Sequence, residues 1–134
     1  MLLPLSSAKV RALSLENHLA LATVRAGGGD LDQISCLIRV VYLAYFMRNE
    51  TTSGVDLGAY RDAEAVLDAC LKRVEQDEPC LLLDQEQRIV ERVLALHDEQ
   101  LAAAPKFRYL EAWEQLQRFV ASGKPSPIRA LSAG

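Results

Sequence analysis

The sequence predicts an all-α protein, a single-domain bundle of about five helices around a central apolar helix. Three observations carry this. A chain of 134 residues that is 50% apolar and 25% charged has the balance of a folded domain with one core. Apolar residues recur at spacings of three and four in successive stretches, and the breaks between those stretches hold glycine, proline and capping residues. The run Ile34 to Met47 is apolar around nearly its whole circumference, as a helix surrounded by others must be.

Ser14 is a good N-cap for a first helix near 15–26, with Leu15, Leu19 and Ala22 at helical spacing and Gly27, Gly28 and Gly29 closing it. Residues 1–13 read as an N-terminal arm or a short helix, for which Ser6 or Ser7 is a possible cap. Asp30 with Gln33 forms a capping-box pattern. It opens a second helix that runs to about Arg48 and carries Ile34, Leu37, Ile38, Val40, Val41, Leu43, Ala44, Phe46 and Met47. Asn49 to Gly54 has loop chemistry, and Asp56 is placed to cap the third helix. From Leu57 to about Gln76, residues Leu57, Tyr60, Ala63, Leu67, Cys70, Leu71 and Val74 mark one face of that helix.

Pro79 breaks the pattern, and Asp84 with Gln87 offers a second capping box. A fourth helix near 85–104 buries Ile89, Val90, Val93, Leu94, Leu96 or His97, and Leu101, and ends at Pro105. A fifth helix near 106–121 aligns Tyr109, Trp113, Leu116 and Val120, flanked by Phe107, Leu110 and Phe119, before Gly123. The helical domain therefore spans 14–122, and 123–134, with Pro125 and Pro127, reads as a mobile tail.

The function classes narrow by chemistry. The net charge of -3 is interspersed, with no basic stripe longer than Lys72 and Arg73, which argues against strong nucleic-acid steering. Cys36, Cys70 and Cys80 are odd in number and lack Cys-x-x-Cys spacing, which argues for reduced thiols in a cytosol rather than a disulfide framework or zinc site. Cys80, in a linker after Pro79, is the most reachable of the three by position, although neighbouring Leu81 to Leu83 argue for burial there too. The apolar start has no preceding basic region and is interrupted by Pro4, unlike a secretory signal, and the run 34–47 is too short to span a membrane.

No cofactor or metal is expected. Neither His18 nor His97 has the Glu-x-x-His spacing of a di-iron bundle, and His97, Asp98 and Glu99 point in different directions from a helix read here as solvated. Gly27 to Gly29 lack the strand and lysine of a phosphate loop. The residues of interest are therefore a possible interface: Arg39, set in the most apolar helix and needing an acidic partner or a window to water, and the aromatic set Tyr42, Tyr45, Tyr60 and Trp113. The aromatics are expected chiefly to pack in the core, and any part that five short helices leave uncovered would be an interface.

The segments Val10 to Ala22, Val41 to Phe46, Arg92 to Ala103 and Tyr109 to Phe119 together resemble a group of short, uncharacterised proteobacterial helical proteins often labelled Fis-like transcriptional regulators. The resemblance implies a bacterial, DNA-binding regulator. A Fis-type helix-turn-helix has a basic second helix near the C-terminus, where this chain has Glu111, Trp113, Glu114, Gln115 and Gln117, so no DNA-reading residue carries over.

The leading expectation is a non-enzymatic protein-interaction module, an adaptor, regulator or inhibitor that docks to a partner protein, with a homodimer and a mobile-element origin in keeping with it. The second is a regulator in which Lys9, Arg11 and Arg25, or Lys124 and Arg129, touch phosphates. The third is an enzyme whose cleft collects His97, Glu99 or Cys80.

Overall fold

In a computed structural model, which describes residues 3–128, the chain forms five α-helices. They are α1 (Ser7–Arg25), α2 (Leu31–Phe46), α3 (Leu57–Glu75), α4 (Asp84–Ala103) and α5 (Lys106–Ser122), with 3-10 turns at Arg48–Glu50 and Ser53–Val55 between α2 and α3. Among the described residues no strand forms, and the one isolated bridge joins Pro4 to Pro105. No described helix is long and apolar enough to cross a membrane.

The central helix is α2, which packs against each of the other four. It buries Ile34, Leu37, Val40, Val41, Tyr42, Leu43, Ala44 and Tyr45. The Asp30 and Gln33 capping box forms: the Asp30 side chain accepts from Asp32 N at 2.9 Å and Gln33 Oε1 accepts from Asp30 N at 3.1 Å. Asp56 caps α3 by accepting from Gly58 N at 3.0 Å, and Gly123, at φ 70°, ends α5 in the left-handed conformation glycine tolerates.

Several expectations give way. Helix α1 begins at Ser7, not Ser14, because Ser6 Oγ accepts from Lys9 N at 3.1 Å and nothing in 7–13 breaks the helix. Of the segment read as an arm or a short helix, residues 7–13 are therefore helical, with Ser6 as the cap, and run on without a break into the rest of α1. The buried face of α1 is Asn17, Ala20, Leu21 and Val24, while Leu15, Leu19 and Ala22 are exposed. At α4 the N-cap is Leu83, whose amide donates to Glu86 Oε1 at 3.0 Å, so Glu86 rather than Gln87 serves the helix start. Leu82 tucks into the core, but Leu81 and Leu83 stay exposed.

Val120 is 68% exposed, and Ala112 takes its place beside Tyr109 and Leu116 on the buried face of α5. Cys70 and Cys80 are not free thiols: their Cα atoms lie 5.2 Å apart and a disulfide joins them, tying the Pro79 linker to the end of α3. Cys80 is buried, the opposite of the reachable thiol its linker position suggested. Within the proposed tail, residues 123–125 are exposed but Ser126 and Ile128 are buried. Arg129 and the rest of the tail lie outside the described residues, as do Met1 and Leu2.

Candidate functional site

The helix spacing of α1 puts Lys9, Leu13 and Glu16 along one side, and that of α5 puts Lys106, Tyr109, Leu110 and Trp113 along another. These two sides, with Arg39 of α2 between them and the segment Leu3 to Ser6 at one end, line a groove of about 790 Å³. The end wall is held in place from both directions. Lys106 N donates to Leu3 O at 2.7 Å, Leu5 is buried, and Ser6 caps α1.

The groove is apolar with a charged rim. Leu3, Phe107 and Leu110 remain 63%, 39% and 49% exposed, so apolar surface continues from the groove onto the outer side of α5. Lys9, Lys106 and Arg39 bring three cations to it and Glu16 one carboxylate, on a chain whose net charge is -3. Arg39 is half-buried, 3.7 Å from Glu16 Oε1 and with its guanidinium 5.5 Å from the Trp113 ring centroid. Both sequence readings of Arg39 are thus met at once, since it reaches water and has an acidic partner on another helix.

Of the five candidate interface residues, the structure brings Arg39 and Trp113 together in the groove and separates the other three from it. Tyr42, Tyr45 and Tyr60 are core residues. Tyr42 packs edge-on against Phe119 with centroids 5.5 Å apart and donates its hydroxyl to Glu64 at 2.7 Å; burial first, then the Glu64 carboxylate, push that hydroxyl far above the ordinary tyrosine range. Tyr45 packs against Tyr60 and carries the Arg48 guanidinium 4.3 Å from its ring centroid. Tyr60 donates to Gly54 O, and burial pushes its hydroxyl up to about 12. Sequence spacing named Lys9 only as a base for phosphate and Leu110 only as a flank of the fifth helix, and did not bring them with Leu3 and Leu13 to Arg39 and Trp113, because the groove joins elements far apart in the chain.

The residues considered for catalysis are dispersed. His97 is buried, not solvated; Gln100 donates Nε2 to Ala44 O at 2.9 Å, which leaves its Oε1, 3.0 Å away, to accept from His97 Nδ1. Burial lowers the pKa of this imidazole and keeps it neutral. Glu99 accepts from Ser53 at 2.8 Å on the surface, and Cys80 is oxidised to Cys70. His18 meets Asp98 at 2.8 Å in a shallow cleft between α1 and α4. Cys36 is half-buried and burial raises its thiol pKa, which lowers its reactivity at neutral pH.

A second cleft, of about 460 Å³ below the end of α2, is lined by Arg48, Glu50, Arg108 and Glu111. Its charges face one another, with Arg108 3.5 Å from both Glu50 and Glu111, which leaves it little net field for a charged ligand. The bases considered for phosphate contact stand in different settings: Lys9 in the groove, Arg11 in the α1/α4 cleft, Arg25 held by Asp84 at 2.8 Å, and Lys124 exposed. Among the described residues, no group of three or more His, Cys, Asp or Glu side chains is disposed to hold a metal ion. In comparisons with known proteins, no family model, no curated protein and no solved structure matches this chain.

Proposed function

We propose that this protein is a non-enzymatic protein-interaction module whose docking surface is the groove between α1, α2 and α5. Its occupant is an apolar segment of a partner protein with acidic side chains at its flanks. The observation that carries this reading is the pairing of an apolar lining, Leu3, Leu13, Leu110 and Trp113, with a rim of Lys9, Lys106 and Arg39. Apolar burial supplies affinity in such a site, and the rim charges select the partner and raise the association rate. Trp113 and Arg39, stacked and half-buried at the centre, are the residue types that dominate interface energetics.

The test is a pull-down of the tagged protein from bacterial lysate, with and without nuclease, read by mass spectrometry and run beside Leu110→Asp and the double variant Lys9→Glu/Lys106→Glu. The expected result is a stoichiometric protein that survives nuclease, is lost with Leu110→Asp and is weakened by the charge reversal. Leu110 is 49% exposed, so its replacement leaves the fold intact. Removing one such apolar anchor costs about 1–3 kcal/mol of binding. Retention of nucleic acid, with all protein lost on digestion, would instead establish a nucleic-acid-binding regulator and overturn the docking reading.

A further inference from the structure

Helix α1 carries apolar residues on two opposite faces. One, formed by Ala20, Leu21 and Val24 with the polar Asn17 among them, is buried against the bundle. The other is Ala8, Ala12, Leu15, Leu19 and Ala22, continued by the C-cap residue Ala26, every one of them exposed. At 3.6 residues per turn this second face lies on the far side of the helix from the first, so it stands clear of the domain. Its spacing alternates four and three, the seven-residue repeat by which two helices pack along one seam.

Leu15 and Leu19, at the centre of the seam, are 61% and 55% exposed. Each borders a shallow cleft beside α1, Leu15 the one shared with α4 and Leu19 the one shared with α2, so the leucines form a ridge with a hollow on either side.

We propose that this face is a self-association surface, through which two copies of the chain pair α1 to α1 in parallel and in register. The flanking charges choose both the occupant and the direction. Positions bordering the seam are Lys9, Glu16 and Thr23 on one side and Arg11, His18 and Arg25 on the other. In a parallel pair, a residue on the second side faces the residue five places later on the first side of the partner helix. Arg11 then meets Glu16 of the second copy, twice by symmetry. An antiparallel pair instead sets Arg11 against Arg25, whose charge Asp84 already meets, and Glu16, 3.7 Å from Arg39, against its own copy, so it gains no pair of opposite charges between the copies.

The extent of the seam sets its strength. Nineteen residues make a rod about 28 Å long, and a helix pair along that length covers roughly 500 Å² per copy, near the lower bound for a specific interface. The helix is already folded, so little ordering entropy is lost on pairing. The dimer is accordingly weak, with a Kd on the order of tens of micromolar.

Sedimentation velocity of the full chain from about 1 to 500 µM tests this directly across that affinity range. The expected result is a monomer-dimer shift in the parent protein and a monomer throughout for Leu15→Glu/Leu19→Glu, with unchanged circular dichroism because both leucines are exposed. Arg11→Glu and Glu16→Arg each weaken the dimer by roughly tenfold, and the double reversal restores it.

A second measurement does not depend on those variants folding. In a Cys36→Ser background, Ala22→Cys should form an intermolecular disulfide with its own copy on mild oxidation, because the in-register seam places the two copies side by side. A parent protein that stays monomeric to the highest concentration overturns the proposal. So does a dimer indifferent to Leu15→Glu/Leu19→Glu, a double reversal that fails to restore pairing, or an Ala22→Cys variant that does not cross-link.

Discussion

Replacing Gln100 by leucine probes the polar cluster on which the centre of the bundle depends. Gln100 is wholly buried, with Nε2 on Ala44 O at 2.9 Å and Oε1 on His97 Nδ1 at 3.0 Å, so it joins α4 to the end of α2. Leucine is similar in size and leaves little cavity, so the cost is the loss of Gln100's polar contacts, chiefly those to Ala44 O and His97 Nδ1 beside a further one to the Tyr60 hydroxyl. The Ala44 carbonyl keeps a bond from Met47 N at 3.2 Å and loses little. His97 Nδ1 is left without its acceptor in a site closed to water, which costs about 1–3 kcal/mol, and the lost bond to Ala44 adds about 1 kcal/mol.

A total of about 2–4 kcal/mol is therefore expected for Gln100→Leu by urea denaturation at pH 7.5, with the m-value unchanged. The reasoning makes a stricter demand on the pair. Once His97 is also replaced by leucine, no imidazole is left to be orphaned, so the double variant should be less destabilised than the sum of the singles by about 1 kcal/mol or more. A Gln100→Leu cost below about 0.5 kcal/mol, or single costs that simply add, would refute the claim that these side chains act as one unit.

Three further outcomes follow from the same packing. Because burial lowers the pKa of His97 below its unfolded value of 6.5, the unfolded chain binds the extra proton first. Stability should thus be level above about pH 7.5 and fall below about pH 6.5, with a slope of up to about 1.4 kcal/mol per pH unit that denaturation of His97→Leu should lack. Reducing the Cys70–Cys80 disulfide, which closes a separation of 10 residues, should lower stability by about 2–3 kcal/mol on the loop-entropy account; an unchanged melting curve in dithiothreitol at full reduction contradicts this. Gly54→Ala places a Cβ 2.7 Å from Arg48 O, a backbone atom that cannot rotate away, so thermal melting should show a loss of about 1–3 kcal/mol.

What the sequence determined by itself is what periodicity and capping encode locally. The all-round apolar character of α2, the three-and-four spacing of α3, the Asp30 box, the Asp56 cap and the stop at Gly123 depend on residues within a turn or two of one another, and each stands in the structure. Only tertiary packing decided the rest. Helix α1 has two apolar faces, and nothing local says that Leu21 and Val24 go inward while Leu15 and Leu19 go out. Tyr42, Tyr45, Tyr60 and Trp113 all lie on apolar stripes, yet the three tyrosines are enclosed by neighbouring helices while Trp113 faces a groove whose other wall begins at Leu3.

Cys70 meets Cys80 because the chain turns back at Pro79, and His97 is buried because α4 packs against α2, bringing Gln100 to the Ala44 carbonyl. Helical periodicity states which residues share a face. Which face is covered, and by what, depends on contacts between residues distant in the chain, which no local pattern carries.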